Sequence, residues 1–141
     1  GLEMMRAVYE GIAYNIRWIL QNYCKDYCIA CENVRIIGGG ALDKGWMQIL
    51  ADVTGRNISV VENPRNAGAV GAAVVALIGL GELPDFPAAK KFVRVSETFT
   101  PNLENKGVYD ALFSQYQKLY RSLADLYQEA NGQRFTAEVS E

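Results

Sequence analysis

The residues whose types and spacing could support chemistry lie in a glycine-rich turn between a short apolar run and a helical pattern. Three consecutive glycines at 38–40 follow the β-branched run 34–37, and Asp43 opens an apolar periodicity that Gly55 closes. Glycine adopts positive φ readily and carries no side chain, so a flat ring or a phosphate could approach this backbone closely. The N-terminus of the following helix would present free N–H groups and a positive dipole end at the same place. The order strand, glycine turn, helix therefore favours an electron-rich ligand.

The turn also fits a purely structural interpretation. Its spacing is not G-x-G-x-x-G, and it lacks the Gly-Lys-Ser/Thr ending of a P-loop. A tight connection between strand and helix, with Asp43 as the N-cap, would use the same glycines. Trp46, in the first turn of the helix, could stack on an adenine or pack in the core, and we favour packing. Spacing alone leaves both interpretations of the turn open.

Motifs on either side of the turn point to a family. The order along the chain is Ile36 and Ile37, then Gly38, Gly39, Gly40 and Ala41, then Trp46, Gln48, Ala51, Asp52 and Gly55. Upstream lies RAVYEGIA at 6–13, and downstream lies GAVGAA at 68–73. Together these motifs resemble the adenosine motif of the sugar kinase, heat-shock protein and actin superfamily, and most closely the C-terminal part of the FGGY carbohydrate kinases. The resemblance covers about residues 5–127.

The resemblance implies an α/β fold, the C-terminal part of an actin-like ATPase (ribonuclease H-like) lobe with the order helix-β-α-β-α plus a C-terminal helix. Residues 1–131 would form this part of the kinase domain, and residues 132–141 would be a flexible tail. The resemblance also implies contacts with the adenosine end of ATP. The residues assigned to those contacts are Gly38, Gly39, Gly40, Ala41, Asp43, Lys44 and Trp46.

Other expectations follow from the family's functional motifs that have no counterpart in these 141 residues. The family's two phosphate motifs, its catalytic Asp and its sugar pocket lie N-terminal to anything present here, so the chain is expected to be a fragment. We therefore assign no catalytic residue and no metal ligand to it. Many xylulose-kinase-like members have Ser at the place of Asp43, which leaves the role of this carboxylate to be explained.

Two functions of different classes remain. In the preferred one, the chain belongs to a carbohydrate kinase of the xylulose-kinase type, which transfers the γ-phosphoryl group of ATP to a sugar hydroxyl with Mg²⁺. The sugar would bind to sequence outside this chain. In the alternative, the chain is a stand-alone α/β interaction domain without a nucleotide site, and its glycines serve only the turn.

Composition excludes several other classes. Half of the residues are hydrophobic and the formal charge is −2, so nothing favours nucleic acid or an anionic membrane as partner. The longest apolar run, 69–80, is interrupted by glycines and is too short to span a bilayer. No signal-peptide pattern opens the sequence, and we expect a cytoplasmic protein. Apolar faces on the first and third helices are expected to pack on missing sequence or on a second copy, as in a homodimer.

Histidine and cysteine usage bears on catalysis and metals. The chain has no histidine, which removes catalytic triads and mixed metal sites that need one. Cys24, Cys28 and Cys31 have the C-x3-C-x2-C spacing of iron–sulfur radical enzymes. The aromatic residue that precedes the last cysteine in those enzymes is Ala30 here, so we expect half-buried thiols in a reducing compartment.

Periodicity predicts the elements that must position the turn. We expect helices over 3–23, 43–55, 67–80 and 105–131, and parallel strands over 34–37 and 57–61 with a right-handed crossover. Residues 83–101, with three prolines, are expected to form a looped, partly extended crossing, which is the best candidate for a linker. Asn66 is expected to cap the third helix. Asp52 lies near a helix C-terminus, where an anion is disfavoured, so we expect it to have a partner, with Gln48 one turn away.

Overall fold

Helices and strands alternate along most of the chain in a computed structural model that describes the backbone of residues 1–136 and the side chains of residues 1–131. Residues 1–106 and the segment from Gly107 onward form two separate units. The elements are α1 (Leu2–Asp26), β1 (Asn33–Ile36), α2 (Lys44–Thr54), β2 (Asn57–Val61), α3 (Ala67–Gly79), β3 (Val95–Phe99), α4 (Lys106–Ser122) and α5 (Ala124–Thr136).

The three strands form one sheet in the order β1-β2-β3. β1 and β2 are parallel, with Val34 opposite Ile58, as the sequence predicts. β2 is the central strand, and its residues 58–61 are all buried, which is typical of a strand covered on both faces. The carboxyl end of β1 leads directly into the glycine turn.

The looped, partly extended crossing predicted over 83–101 contains a strand, β3, that was not predicted. β3 pairs antiparallel with β2, so the sheet has three strands rather than the two that the sequence suggested. Ser59 and Thr98 hydroxyls lie 3.1 Å apart across this pair. The residues of β3, VSETF, alternate and include β-branched side chains, but prolines on both sides of the strand obscured that pattern.

α2 has the caps that its sequence predicts. Asp43 occupies the N-cap, and its carboxylate accepts a hydrogen bond from the backbone N–H of Trp46. Gly55 ends the helix in the left-handed conformation, with φ 65°. The buried residues of the helix are Met47, Leu50, Ala51, Asp52 and Val53.

Gly55 allows a direct test of this helix end. A Cβ at Gly55 would meet no atom within 4 Å, so the cost of Gly55→Ala comes only from its positive φ. We expect a loss of about 1 kcal/mol in the free energy of unfolding, measured by urea titration. Gly11→Ala, also without a neighbour within 4 Å but inside α1, is the control and should be neutral or stabilising. Equal effects of the two substitutions would contradict this assignment.

α1 packs against α2. Arg17 donates from Nη1 to the carbonyl oxygen of Val53 at 3.0 Å, which joins the middle of α1 to the end of α2. Ala13 and Tyr14 are the buried residues of α1. Tyr9, one turn earlier, lies half-buried beside the start of α2.

The residues before α3 differ from prediction in one detail. Asn66 stands at the N-cap position, but its side chain makes no capping hydrogen bond, so the predicted cap was wrong. A short 3₁₀ turn over Pro64–Asn66 runs directly into α3 and places the Asn66 backbone near φ −97°, ψ 1°. Asn63, in the left-handed conformation, makes the turn that precedes it.

The second unit is helical. The single helix predicted over 105–131 is divided at Leu123 into α4 and α5. The Ser122 hydroxyl donates to the carbonyl oxygen of Lys118 at 3.0 Å, a local bond that competes with regular helix geometry. α5 includes residues 132–136, and the rest of the predicted tail lies outside the described residues. Among the described helices, none combines the length and apolar composition needed to span a membrane.

Candidate functional site

The glycine turn is fixed at both ends by backbone geometry. Gly38 has φ 96° and ψ 177°, a conformation that is accessible essentially to glycine alone, and its N–H donates to the carbonyl oxygen of Pro64 at 2.7 Å. Gly39–Leu42 then form a short 3₁₀ turn. Gly38 therefore has two structural roles. Its positive φ turns the chain after β1, and its N–H binds the turn to the segment that follows β2.

Asp43 uses both of its carboxylate oxygens. Oδ1 accepts from the Trp46 backbone N–H at 3.1 Å, and Oδ2 accepts from the Tyr9 hydroxyl at 2.9 Å. The Trp46 N–H, followed by the Tyr9 hydroxyl, lowers the pKa of the Asp43 carboxyl. The same contact raises the pKa of Tyr9, because ionising its hydroxyl would remove the hydrogen bond and place a second negative charge beside Asp43. A serine at position 43 would offer one oxygen in place of two, which explains what the carboxylate adds here.

Trp46 is held between two neighbours. Its ring stacks on Tyr9 with centroids 5.2 Å apart and an interplanar angle of 20°. On the glycine side, a Cβ at Gly40 would overlap the Trp46 ring atom Cζ3 and lie 3.1 Å from Cε3. The Trp46 Nε1 atom is buried and has no hydrogen-bond partner among the described residues. The ring therefore packs as we favoured, and Gly40 is a glycine because this ring occupies the space of a side chain.

The predicted contact residues do not line one common cavity. Asp43 and Trp46 line a cleft of about 440 Å³ against α1, with Met5, Tyr9 and Ile49. A second set lines a different cleft of about 380 Å³ beside β2 and β3. Its members from the prediction are Ala41 and Lys44. The turn thus separates two surfaces, and a ligand of nucleotide size would meet only part of the predicted set on either one.

The open part of the turn is its first half. A Cβ at Gly38 would meet nothing within 4 Å, and a Cβ at Gly39 would meet only Arg65 Nε, at 4.0 Å. The backbone there is free to be covered by a flat group. Arg65 is exposed, and neither a salt bridge nor a hydrogen bond involves its side chain in the described part of the chain. Sequence analysis missed this guanidinium, because its only signal was a basic residue in a polar turn.

Lys44 is engaged on the opposite side. Its Nζ lies 2.9 Å from Oε1 of Glu97 on β3, and the two side chains are 73% and 42% exposed. An ion pair this exposed contributes little to stability, about 0–1 kcal/mol, so it leaves Lys44 able to exchange Glu97 for another anion.

The charges of the turn favour a neutral ligand over a phosphate at the start of α2. Helix N-termini attract anions, but here the Asp43 carboxylate already accepts from the Trp46 N–H and supplies that negative charge. A phosphate at the same place would meet Asp43 at close range. The start of α2 therefore favours an uncharged group over an anion, whereas an anion would be attracted toward Arg65 or Lys44.

The three cysteines are the remaining candidate ligands named from the sequence. Cys24, Cys28 and Cys31 are free thiols, and a hydrogen bond with Cys24 raises the pKa of Cys31. In the part of the chain that the structure describes, no cluster of three or more histidine, cysteine, aspartate or glutamate side chains could hold a metal ion.

The Tyr9–Asp43 pair predicts a specific pH response. A lowered carboxyl pKa means that the contribution of Asp43 is complete above the ordinary value of 3.8 and is lost as the pH falls through the lowered pKa. A raised tyrosine pKa means that the contribution of Tyr9 is complete below 10.0 and is lost as the pH rises through the raised pKa. Carbon NMR shifts of the Asp43 carboxyl should therefore titrate with a midpoint below pH 3.8, and those of the Tyr9 ring with a midpoint above pH 10.0. A midpoint at the ordinary value of either group, or on its neutral side, would contradict the pairing.

Comparison with known proteins identifies the family to which the chain belongs. Residues 2–80 match the model of the FGGY family of carbohydrate kinases, C-terminal domain. The chain belongs to this family. The match covers the three motifs at 6–13, 36–55 and 68–73, so the resemblance seen in the sequence is confirmed.

Individual relatives of the chain are also sugar kinases or similar kinases by name. The chain is 30% identical over 125 residues to xylulose kinase of Staphylococcus epidermidis, covering 88% of this chain and 25% of the relative. It is 35% identical over 118 residues to autoinducer-2 kinase of Enterobacter sp., covering 83% and 22%. The chain therefore spans about a quarter of the length of the curated relatives it matches.

Solved structures show the same fold. The crystal structure of xylulose kinase from Rhodospirillum rubrum superposes with a TM-score of 0.71 at 32% identity, over 88% of this chain and 25% of that one. Ligand-bound xylulose kinase from Lactobacillus acidophilus gives a TM-score of 0.76 at 25% identity, over 86% and 24%. The predicted fold class, an α/β portion of an actin-like ATPase lobe, is confirmed by these neighbours.

Proposed function

We propose that this chain is the adenosine-binding, C-terminal part of an ATP-dependent carbohydrate kinase. The observation that carries the proposal is the free space at Gly38 and Gly39, where an added Cβ would meet no atom of the described residues within 4 Å except Arg65 Nε. This open backbone stands in the segment that matches the kinase family. A nucleotide would cover it with its flat, uncharged end.

The whole reaction would transfer the γ-phosphoryl group of ATP to a hydroxyl of a sugar, a ketopentose such as xylulose. The names of the relatives support xylulose as the substrate, although one of them is an autoinducer-2 kinase. Catalysis of this kind depends mostly on positioning and charge stabilisation. Mg²⁺ would neutralise phosphate charge and would be held by the phosphates and by sequence outside this chain. We also propose a cytoplasmic protein whose partners are ATP or ADP and the sugar.

The residues of this chain would contribute binding and orientation rather than proton transfer. Gly38 and Gly39 keep side chains away from the nucleotide, Gly40 leaves room for the Trp46 ring, and Ala41 continues the turn with a small side chain. Asp43 fixes the start of α2 through its hydrogen bond with Trp46. Lys44 could leave its exposed partner Glu97 and bind a phosphate of the nucleotide instead.

The chain by itself is expected to lack sugar kinase activity. Its aspartates match no catalytic-base motif of the family, and it contains no phosphate loop. A coupled assay for ADP formation with ATP, Mg²⁺ and xylulose should give no signal above a reaction without protein. Sugar phosphorylation that co-purifies with the chain and disappears when Gly39→Val is introduced would refute this expectation.

Nucleotide binding to the chain is expected to be weak and insensitive to the number of phosphates. Because only the adenosine end is bound, we expect millimolar dissociation constants, about −4 kcal/mol or less, with AMP, ADP and ATP within a few-fold of one another. Isothermal titration at high protein concentration would measure all three. A micromolar preference for ATP over AMP would mean that phosphate groups are bound here, with Arg65 and Lys44 the first side chains to replace.

A further inference from the structure

Tyr9 connects helix α1 to the first turn of α2, which follows the glycine turn. Its hydroxyl donates to Asp43 Oδ2 at 2.9 Å, and its ring stacks on Trp46 at a centroid distance of 5.2 Å. Tyr9 lies 34 residues before Asp43 in the sequence, so this is a tertiary contact and not a property of the turn itself. The same side chain therefore holds both the N-cap of α2 and the ring in its first turn.

The Trp46 ring, on which Tyr9 stacks, lies directly against Gly40 of the turn. The ring atom Cζ3 of Trp46 occupies the place of a side chain at Gly40. If the ring moved toward the turn, it would meet backbone, and if it moved away, it would leave a gap over Gly40. The chain of contacts Tyr9, Trp46, Gly40 thus couples the position of α1 to the backbone of the turn.

We propose that Tyr9 is a positioning residue for the glycine turn: its hydroxyl and ring hold Asp43 and Trp46, and through them fix the backbone at Gly40. The consequence for nucleotide binding rests on the proposed function, whereas the consequence for the geometry of the turn does not. Tyr9 itself lines the cleft against α1, so it acts on the open side of the turn, at Gly38 and Gly39, only through Trp46 and Gly40.

The two parts of the side chain can be separated by substitution. Tyr9→Phe removes the hydroxyl and keeps the stacked ring, and Tyr9→Leu removes both. Tyr23→Phe is the matched control, because Tyr23 lies near the other end of the same helix and its ring contacts Tyr27. The readouts are the amide resonances of Gly39, Gly40 and Ala41, the fluorescence of Trp46, the melting temperature, and the affinity for AMP.

We expect Tyr9→Phe to melt close to the unchanged chain but to shift the amide resonances of residues 43–46 and, less, of Gly40. Its affinity for AMP should fall about threefold to tenfold, because the turn is held less firmly in the binding geometry although no direct contact with AMP is lost. Tyr9→Leu should shift Gly40 strongly and weaken AMP further. Tyr23→Phe should leave the turn resonances and the affinity unchanged.

The outcomes separate this proposal from the proposed function. Unchanged Gly40 resonances in both Tyr9 variants overturn the positioning role, whether or not AMP binds. Shifted resonances with an unchanged AMP affinity overturn the consequence for binding. If the unchanged chain does not bind AMP at any concentration, the proposed function fails, while the resonances still decide whether Tyr9 positions the turn. If Tyr9→Leu does not fold, Tyr9→Phe alone carries the decision.

Discussion

Asp52→Ala is expected to lower the free energy of unfolding by about 3 kcal/mol, because it removes a buried carboxylate that accepts three hydrogen bonds. Asp52 is only 9% exposed. Its Oδ1 accepts from Gln48 Nε2 and from the Asn102 backbone N–H, and its Oδ2 accepts from Asn105 Nδ2, each at 2.8 Å. These bonds join α2 to the segment that follows β3.

The measurement is urea unfolding of Asp52→Ala, Asp52→Asn and a control, Asp26→Ala. Asparagine keeps the shape but turns an N–H₂ group toward a donor, so an intermediate loss is expected. Asp26 is an exposed carboxylate at the end of α1, and its removal should change stability by no more than about 0.5 kcal/mol. If Asp52→Ala lost no more than Asp26→Ala, Asp52 would not be the link between α2 and this segment.

Substitutions at Gly39 and Gly40 are expected to differ in their effect on stability, although the two residues are neighbours. A methyl group at Gly40 overlaps the Trp46 ring, so Gly40→Ala should lower stability by about 1–3 kcal/mol and change the fluorescence of Trp46. A methyl group at Gly39 meets only Arg65 Nε at 4.0 Å, so Gly39→Ala should leave stability almost unchanged.

The affinity for AMP should be more sensitive to substitution at Gly39 than at Gly40, the reverse of the order expected for stability. If adenosine covers the open backbone, Gly39→Val places a branched side chain where the ligand lies and should weaken AMP binding tenfold or more, about 1.4 kcal/mol. Thermal melting and AMP titration on the same variants separate the two effects. If Gly39→Val bound AMP like the unchanged chain, the glycines would serve only the connection between strand and helix.

Features that depend on a few neighbouring residues were predictable from the sequence. Asp43 and Gly55 mark the two ends of α2, and both act as helix caps in the structure. Gln48, one turn before Asp52, was correctly named as its partner. In each case the residues lie within four positions of each other, so their contact follows from helix geometry.

Features that depend on tertiary contacts were not. Asn102 and Asn105 bind Asp52 across 50 or more residues, and Tyr9 binds Asp43 across 34. No local pattern marks such pairs, because they arise only when separate elements pack. β3 was missed for a related reason: its short alternation is visible, but its pairing with β2 is what makes it a strand rather than an extended loop.

The candidate site shows the same division. The sequence identified the turn, but the free space beside Gly38 and Gly39, the Trp46 ring beside Gly40 and the different clefts lined by Asp43 and Lys44 appear only in three dimensions. The three glycines are alike in sequence and different in role. Gly38 is required by its φ of 96°, Gly40 by the adjacent ring, and Gly39 by neither, which makes Gly39 the most informative position for a ligand.

The central claim is that the open half of the turn binds the adenosine end of a nucleotide, and amide mapping of an AMP titration tests it most directly. We expect the resonances of Gly38 and Gly39 to shift with AMP concentration, with adenosine producing the same pattern and inorganic phosphate producing none. The shifts should be lost in Gly39→Val while the rest of the spectrum stays unchanged. Shifts that appear with phosphate alone, or saturating AMP that leaves Gly38 and Gly39 unmoved, would contradict the account.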